Sequence, residues 1–267
     1  MTNTPSPPVP GTHRWVSLMV HDLVASRRFY GGLFGWEFDE GPSPLGAYVR
    51  ALREGHPVAG LGEMAGEMAG GLRRVTAWLP YIATNDADAT AALIRECGGT
   101  VAVGPLDVDQ VGRLGIAADI GGAAFGIWEG GPRRSGRYHG VEGAVSWNEL
   151  FAVETSGVGK FYERVFGYDV GPEPAQPPGS DFLTLRLGSR PVAGIRGAAG
   201  ALPRDRGPHW LTYFSVVDLD DTLERVVALG GRRLTEPESS PFGVWARASD
   251  PEGAPFAVIV PTKPSGD

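Results

Sequence analysis

The feature that most limits what this chain can fold into is an internal repeat at constant spacing. Trp15, Leu18, Phe29, Tyr30, Phe34 and Gly35 recur as Trp147, Leu150, Phe161, Tyr162, Phe166 and Gly167, every pair 132 positions apart. The same offset carries Trp78, Leu79, Tyr81, Asp86, Asp88, Thr90, Gly98 and Gly99 onto Trp210, Leu211, Tyr213, Asp218, Asp220, Thr222, Gly230 and Gly231. One structural unit has been copied, so any fold proposed for the first half must also serve the second.

Each copy divides again into two units of similar plan. In the first, WVSLMV alternates as a strand, Asp22 stands where a helix opens, and Phe29, Tyr30 and Leu33 recur at helical spacing over Ala25 to Leu33. In the second, TAWLPYIAT is the strand and Asp86 to Cys97 the helix. Gly98-Gly99 ends that helix with the left-handed residue a helix terminus needs. VGRLGIAAD and AAFGIWE complete the sheet, and units from about Gly143 and Gly207 repeat the order, with Glu154 and Asp218 opening their helices. The expected organisation is four βαβββ modules in two pairs.

Composition agrees with many short strands and turns, since 40 of the 267 residues are Gly and 23 are Pro. A formal net charge of -7 argues against nucleic acid or an anionic membrane as partner, because either calls for a concentrated basic surface. A small molecule is the better default. The single cysteine, Cys97, cannot form an internal disulfide, and no run of about 18 apolar residues occurs; both fit a cytoplasmic protein. Residues 1–11 read as a disordered arm, 132–142 as a Gly- and Arg-rich linker and 262–267 as a tail; Gly62 to Gly71 and Pro172 to Ser180 read as loops. Two domains, 12–131 and 143–261, remain.

Paired βαβββ modules with the helix exits FYGGLFGW and FYERVFGY, and with DIGG and DPEG turns before the last strands, resemble the glyoxalase, bleomycin-resistance and extradiol-dioxygenase group, the vicinal oxygen chelate superfamily. The resemblance covers roughly Thr12 to Pro261. It is nearest to tandem members that include accessory proteins of anthracycline biosynthesis and a mycobacterial antigen relative. It implies an α+β fold, with two tandem glyoxalase-like domains built on curved mixed sheets. Members share that fold and not a reaction.

The resemblance also implies where a metal would be held. Metal-dependent members carry a His or Gln seven residues before the acidic residue that opens each helix, and a Glu seven residues after the turn aspartate. Here those positions are Trp15, Leu79, Trp147 and Leu211, then Gly126 and Ala257, none of which offers a ligand atom of the kind a divalent cation takes. Shifting register to His13 or His209 recruits a lone histidine in each case, and Glu63 has Gly197 as its counterpart. No metal and no cofactor is expected.

Period-two alternation then gives the face that the ligand positions share. It carries Trp15, Ser17 and Met19; Tyr81 and Ala83; Trp147, Glu149 and Phe151; Leu211, Tyr213 and Ser215; and, on the last strands, Ala124, Gly126 and Trp128, then Pro255, Ala257 and Ile259. Small residues facing large rings leave either tight packing or a slot. A slot would take a flat apolar ring: burying about 300 Å² is worth on the order of 7 kcal/mol before association costs, enough for carriage if the site is preformed. Arg113 and Arg50 in the first half, and Arg247 in the second, are the cations nearest that face.

The function expected is metal-independent sequestration or carriage of a bulky aromatic small molecule, such as a secondary metabolite or antibiotic. Its seat would comprise Trp15, Ser17, Tyr81, Arg113, Trp128, Trp147, Glu149, Phe151, Leu211, Tyr213 and Arg247. The alternative is an enzyme of secondary metabolism, an isomerase, cyclase, lyase or oxygenase accessory. There Glu149 acts as general base, with apolar walls raising its pKa and His209, Tyr213 or Arg247 as partner. A bland reading of Glu149 has it bonded to backbone or to Asn148. A homodimer and a partner oxidase are the macromolecular partners left open.

Overall fold

The computed structural model describes residues 9–41, 47–64, 76–108, 112–130, 141–173, 180–198, 200, 202–203 and 206–262. The tail beyond Thr262, nearly all of the linker, most of the first expected loop and part of the second lie outside the described residues. The arm is described only from Val9. There Thr12 Oγ donates to the Val9 carbonyl, Gly11 N–H donates to Ala83 O and the Tyr168 hydroxyl donates to Gly11 O. The arm expected over 1–11 is therefore hydrogen-bonded from Val9 onward.

Four βαβββ modules follow one another. The first is β1 (His13–Val20), α1 (Leu23–Phe34), β2 (Glu37–Glu40), β3 (Tyr48–Arg53) and β4 (His56–Glu63); the second is β5 (Trp78–Ala83), α2 (Ala87–Glu96), β6 (Thr100–Val108), β7 (Gly112–Ala118) and β8 (Ala124–Glu129). The third is β9 (Val145–Ala152), α3 (Ser156–Phe166), β10 (Asp169–Pro172), β11 (Phe182–Leu187) and β12 (Arg190–Gly197). The fourth is β13 (His209–Ser215), α4 (Leu219–Ala228), β14 (Arg232–Arg233), the additional short β15 (Glu238–Ser240), β16 (Gly243–Ser249) and β17 (Pro255–Pro261). The strands form two mixed sheets, in the orders β2-β3-β4-β1-β5-β8-β7-β6 and β10-β11-β12-β9-β13-β17-β16-β14, with β15 paired to β16. The fold class is α+β.

Local chemistry explains the elements. Asp22, Asp86 and Asp218 cap their helices by accepting the N–H groups of Ala25, Ala89 and Asp221, at 2.8, 2.8 and 3.0 Å. The third helix departs from that rule: Thr155 holds the cap position, while the Glu154 carboxylate one residue earlier accepts from Ser156 and Gly157. Gly35 and Gly167, at φ of 66° and 70°, end α1 and α3 in the left-handed region, and Gly98, where the sequence called for such a residue after α2, has φ 85°. Within each module the first and last strands run parallel, as β1–β4 and β9–β12 do, because a helix crosses between them.

Side-chain packing divides the chain differently from the repeat. One compact unit takes Met1–Trp15, Leu79–Ser135 and Asn148–Trp210, the second and third modules; the other takes Val16–Trp78, Gly136–Trp147 and Leu211–Asp267, the first and fourth. In the second unit the apolar stripes of α1 (Phe29, Tyr30, Leu33) and α4 (Leu219, Leu223, Val226) share one core with Val16, Leu18 and Val58. In the first unit α2 (Ala87, Ala91, Ile94) and α3 (Val158, Phe161, Val165) share the other with Ile127 and Ile195. The sequence expectation of domains at 12–131 and 143–261 follows strand order and does not anticipate this grouping.

A buried polar chain recurs in each unit. Trp78 Nε1 donates to the Tyr30 hydroxyl at 3.1 Å, and that hydroxyl donates to Asp250 Oδ2 at 3.1 Å. Trp210 Nε1 donates to Tyr162 at 3.1 Å, and Tyr162 to Asp119 Oδ2 at 3.0 Å. The aspartates are those of the DPEG and DIGG turns. Asp250 Oδ1 accepts the Glu252 and Ala254 N–H groups, and Asp119 Oδ1 those of Gly121 and Ala123. Burial raises both aspartates' pKa, opposed by these backbone donors. Burial, then the facing carboxylate, holds both tyrosines well above their ordinary value, so each remains a donor. Removing either hydroxyl orphans an indole N–H and a carboxylate oxygen together. Tyr30→Phe and Tyr162→Phe should each lower stability by roughly 2–4 kcal/mol, read as the shift in urea midpoint at unchanged slope. A change under about 0.5 kcal/mol in both would show that the chain contributes nothing net.

His13 opens β1 with its ring edge-on to Trp210, centroids 5.1 Å apart. Among the described residues neither ring nitrogen has a hydrogen-bond partner, and burial pushes the imidazole pKa down to about 3. A histidine depressed in the folded state stabilises the fold fully above its unfolded value of 6.5 and loses that contribution as pH falls toward 3. His13→Leu should therefore gain stability relative to the parent between pH 6 and 4, by roughly 1–2 kcal/mol. Denaturation midpoints at pH 4.5 and 7.5 check this, and an equal difference at the two values would refute it.

Candidate functional site

The register confirms which residues share the face opposite the cores. Tyr81 pairs with Gly126 and Ala83 with Trp128 across β5 and β8; Tyr213 pairs with Ala257 and Ser215 with Ile259 across β13 and β17. Arg247 pairs with Ala257 and joins that face. Among the residues expected to line a ligand seat, Ser17, Phe151, Leu211 and Tyr213 are buried, while Trp15, Tyr81, Trp128, Trp147, His209 and Arg247 keep part of their surface exposed.

The slot expected opposite Gly126 is closed. A Cβ added there would stand 2.1 Å from Tyr81 Cδ1, so the Tyr81 ring already lies over the glycine. Small facing large is resolved at this point as tight packing. The same observation tests the metal that the resemblance implies. The side chain needed at position 126 would occupy the space of an aromatic ring, and Trp15, Leu79, Trp147, Leu211 and Ala257 supply no ligand atom. Among the described residues no three His, Cys, Asp or Glu side chains are grouped as a cation would require. The residues present do not fit a divalent metal at the family's position.

Arg113 is corrected. It lies on the helix side of its sheet, paired in the strand register with Glu129, and forms ion pairs with Asp88 of α2 and, at 3.0 Å, with Asp107. Its hydrogen bond holds the Asp88 carboxyl below the ordinary value. The alternation places Arg113 on the opposite side from Trp128, so it does not line the cup. Arg50 is matched by Asp39 at 2.7 Å.

The charged centre of the first unit is at β9 and β12. Glu149 is 3% exposed, and Arg196 Nε donates to its Oε1 at 2.5 Å. Parallel pairing sets Arg196 beside Phe151 and Gly194 beside Glu149, so the two charges are diagonal neighbours on one face. The guanidinium stands 5.1 Å from the Phe182 ring centroid and 5.9 Å from that of Phe151. His209 stacks on Phe151 at 5.5 Å with an interplanar angle of 9°, and its Nδ1 is 2.7 Å from the Gly207 carbonyl, which fixes Nδ1 as the protonated nitrogen. His209 is thus set against Phe151, and Arg196 against both Phe151 and Glu149. Arg196 and Phe182 are additional. Apolar walls, the surroundings expected to raise the Glu149 pKa, are not all that meets its carboxylate: Arg196 forms an ion pair with it. The missed signal was available by comparing copies, since both Glu149 and Arg196 replace uncharged counterparts, Ser17 and Gly62.

In the second unit Tyr213 packs against Trp245 at 5.2 Å, and Trp147 stacks on Phe242 at 4.9 Å and 24°. The Trp147 indole N–H, buried, has no hydrogen-bond partner among the described residues. No helix among the described residues is long and apolar enough to cross a membrane.

Comparison with known proteins agrees with this architecture. Residues 151–259 match the family model described as a glyoxalase-like domain. The chain is 35% identical to the anthracycline biosynthesis protein DauV of a Streptomyces species, over 94% of this chain and 93% of DauV. It is 32% identical to CFP32 of Mycobacterium tuberculosis, over 94% and 95%. The solved Mn(II)-bound glyoxalase of Novosphingobium aromaticivorans superposes with a TM-score of 0.63 at 18% identity, covering 94% of this chain and 82% of that one, a likeness of fold. The chain belongs to the glyoxalase-like, vicinal oxygen chelate family, together with these full-length relatives.

Proposed function

We propose that this protein binds a bulky, planar aromatic small molecule of secondary metabolism without a metal, and that it acts in the cytoplasm by carrying or sequestering that molecule. The observation that carries the reading is the replacement of the family's ligand positions by indole, alkyl and glycine, with the Tyr81 ring over Gly126. What remains on the cup faces is aromatic surface with few charges, which suits a flat ring. The names of relatives in anthracycline biosynthesis support the choice of ligand class. Hydroxyanthraquinones should quench the fluorescence of the cup-face tryptophans with micromolar affinity, and the titration should be unchanged after exhaustive chelation. Loss of quenching on chelation would sink the reading.

A second reading follows from one observation, a carboxylate withdrawn from water on a cup face. On that reading the protein is an enzyme in which Glu149 moves a proton and His209, across the Phe151 ring, orients the substrate. Glu149→Gln should then abolish turnover of an aromatic substrate while affinity changes less than threefold. Turnover that survives the substitution would remove Glu149 as the base and leave the binding reading in place.

A further inference from the structure

The second module's sheet face opposite its helix is open, and the repeat counterpart of that face in the fourth module is filled. Two rows of side chains cross the open face on β6, β7, β8 and β5. The register puts Val103, Ile116, Gly126 and Tyr81 in one row and Leu106, Leu114, Trp128 and Ala83 in the other. Tyr81, Leu114, Ile116 and Trp128 are half-buried, while Val103 and Leu106 are 44% and 52% exposed. A Cβ on Gly126 would lie 2.1, 2.4 and 2.6 Å from three consecutive atoms of the Tyr81 ring, so the ring lies flat on the glycine and turns its other side away from the strand. In the fourth module Tyr213 takes the place of Tyr81 by the repeat, and Trp245 and Ile259 take those of Leu114 and Trp128, counted from the turn aspartates Asp250 and Asp119. All three are buried, with the Trp245 ring packed on Tyr213 where the second module has the smaller leucine.

The rims differ in the same sense. Leu106 pairs with Leu114 and Glu238 with Trp245, so an exposed leucine stands where the filled copy has a glutamate. A bulge in β6 brings Val103 onto the face beside it. The register shifts between Val103 and Leu106, around Gly104, whose φ is 74° and whose added Cβ would lie 2.7 Å from both Leu106 N and Leu114 O, so the bulge needs glycine. The charged residues of these strands lie on the other side: Arg113 pairs in register with Asp107 and with Glu129, facing the helix.

We infer that the second module's face is a ligand seat, and that its ligand is an uncharged fused-ring aromatic laid over Tyr81 and against Leu106 and Val103. This rests on the reading that the protein binds an aromatic molecule and says where and with what charge. None of the face residues is Asp, Glu, Lys, Arg or His, so nothing there would offset the desolvation of a charged ligand. An apolar ring instead covers the leucine and valine that the filled copy does without. A second copy of the chain fits this face less well. Six side chains fall short of the roughly 20–30 residues a side that a stable protein interface takes. Strand pairing is also opposed, because β6, although it is the sheet's edge, is broken by its bulge and by Pro105, which has no N–H to offer.

Calorimetric titration with quinizarin, an uncharged dihydroxyanthraquinone, and with anthraquinone sulfonate tests this. The sulfonate should be weaker by about tenfold or more, because the face gives it no cation. Leu106→Glu, which sets the fourth module's rim residue on the second, should weaken quinizarin by about tenfold or more, since a carboxylate is then desolvated beneath the ring. Leu106→Met should stay within about threefold of the parent, and Glu238→Gln should change nothing. Thermal melts identify any variant that fails to fold; if Leu106→Glu does, Val103→Glu in the neighbouring row decides, with the same loss expected. A folded glutamate variant that binds like the parent, or a sulfonate that binds as tightly as quinizarin, would overturn the seat while leaving aromatic binding intact. A parent that sediments as a dimer and becomes a monomer on Leu106→Glu would overturn it in favour of a second copy on this face. Absence of quinizarin binding to the parent would remove both the seat and the reading beneath it.

Discussion

Each unit of this protein depends on a buried chain of hydrogen bonds running from an indole through a tyrosine hydroxyl to a turn aspartate. The aspartate is the hinge of the arrangement. One of its oxygens gathers the backbone N–H groups that shape the turn before a last strand, and the other accepts from a tyrosine on a helix of a different module. A carboxylate removed from water is costly unless every lone pair direction is used, and here backbone and phenol use them. The requirement is specific about partners. It fixes which helix packs behind which strand, and it explains why the two cores combine the first module with the fourth and the second with the third.

With the cores fixed in that way, the opposite faces of the strands are free to change. Residues repeated at the constant offset include the tyrosines and tryptophans of the buried chains and the leucines of β1 and β9, which lie in the cores. Cup positions have drifted, from Ser17 to Glu149, Met19 to Phe151, Tyr48 to Phe182 and Gly62 to Arg196. The drift is coordinated, because a buried carboxylate is tolerable only with its cation and the cation only with room to lie. Glu149 and Arg196 form such a pair in one copy, while the other copy holds a serine and a glycine. The family's metal positions have gone the same way, to side chains that pack instead of ligating.

Much of this was legible in the sequence. The offset repeat, the capping aspartates, the FG helix exits and the alternation of each strand gave four modules and set Tyr81 with Gly126 and Tyr213 with Ala257 on shared strand faces, because these signals are local and periodic. Arg113 shows where locality fails. Its strand is legible in the sequence, but the side it takes depends on the helix behind the sheet, where Asp88 holds the arginine away from the cup. Arg196 shows the complementary failure. Its importance arises from a diagonal neighbour on a parallel strand 47 residues away, and no local pattern marks such a pair.

The amino-acid order by itself thus determined the number of modules, the class of fold and the residue types that stand at the family's metal positions, all of which depend on residue identity and spacing. Only the tertiary structure decided which modules share a core, which glycine is covered by a ring and which carboxylate is matched by a guanidinium. Those outcomes depend on register between distant strands and on the volume left between side chains, and both are set when the chain packs.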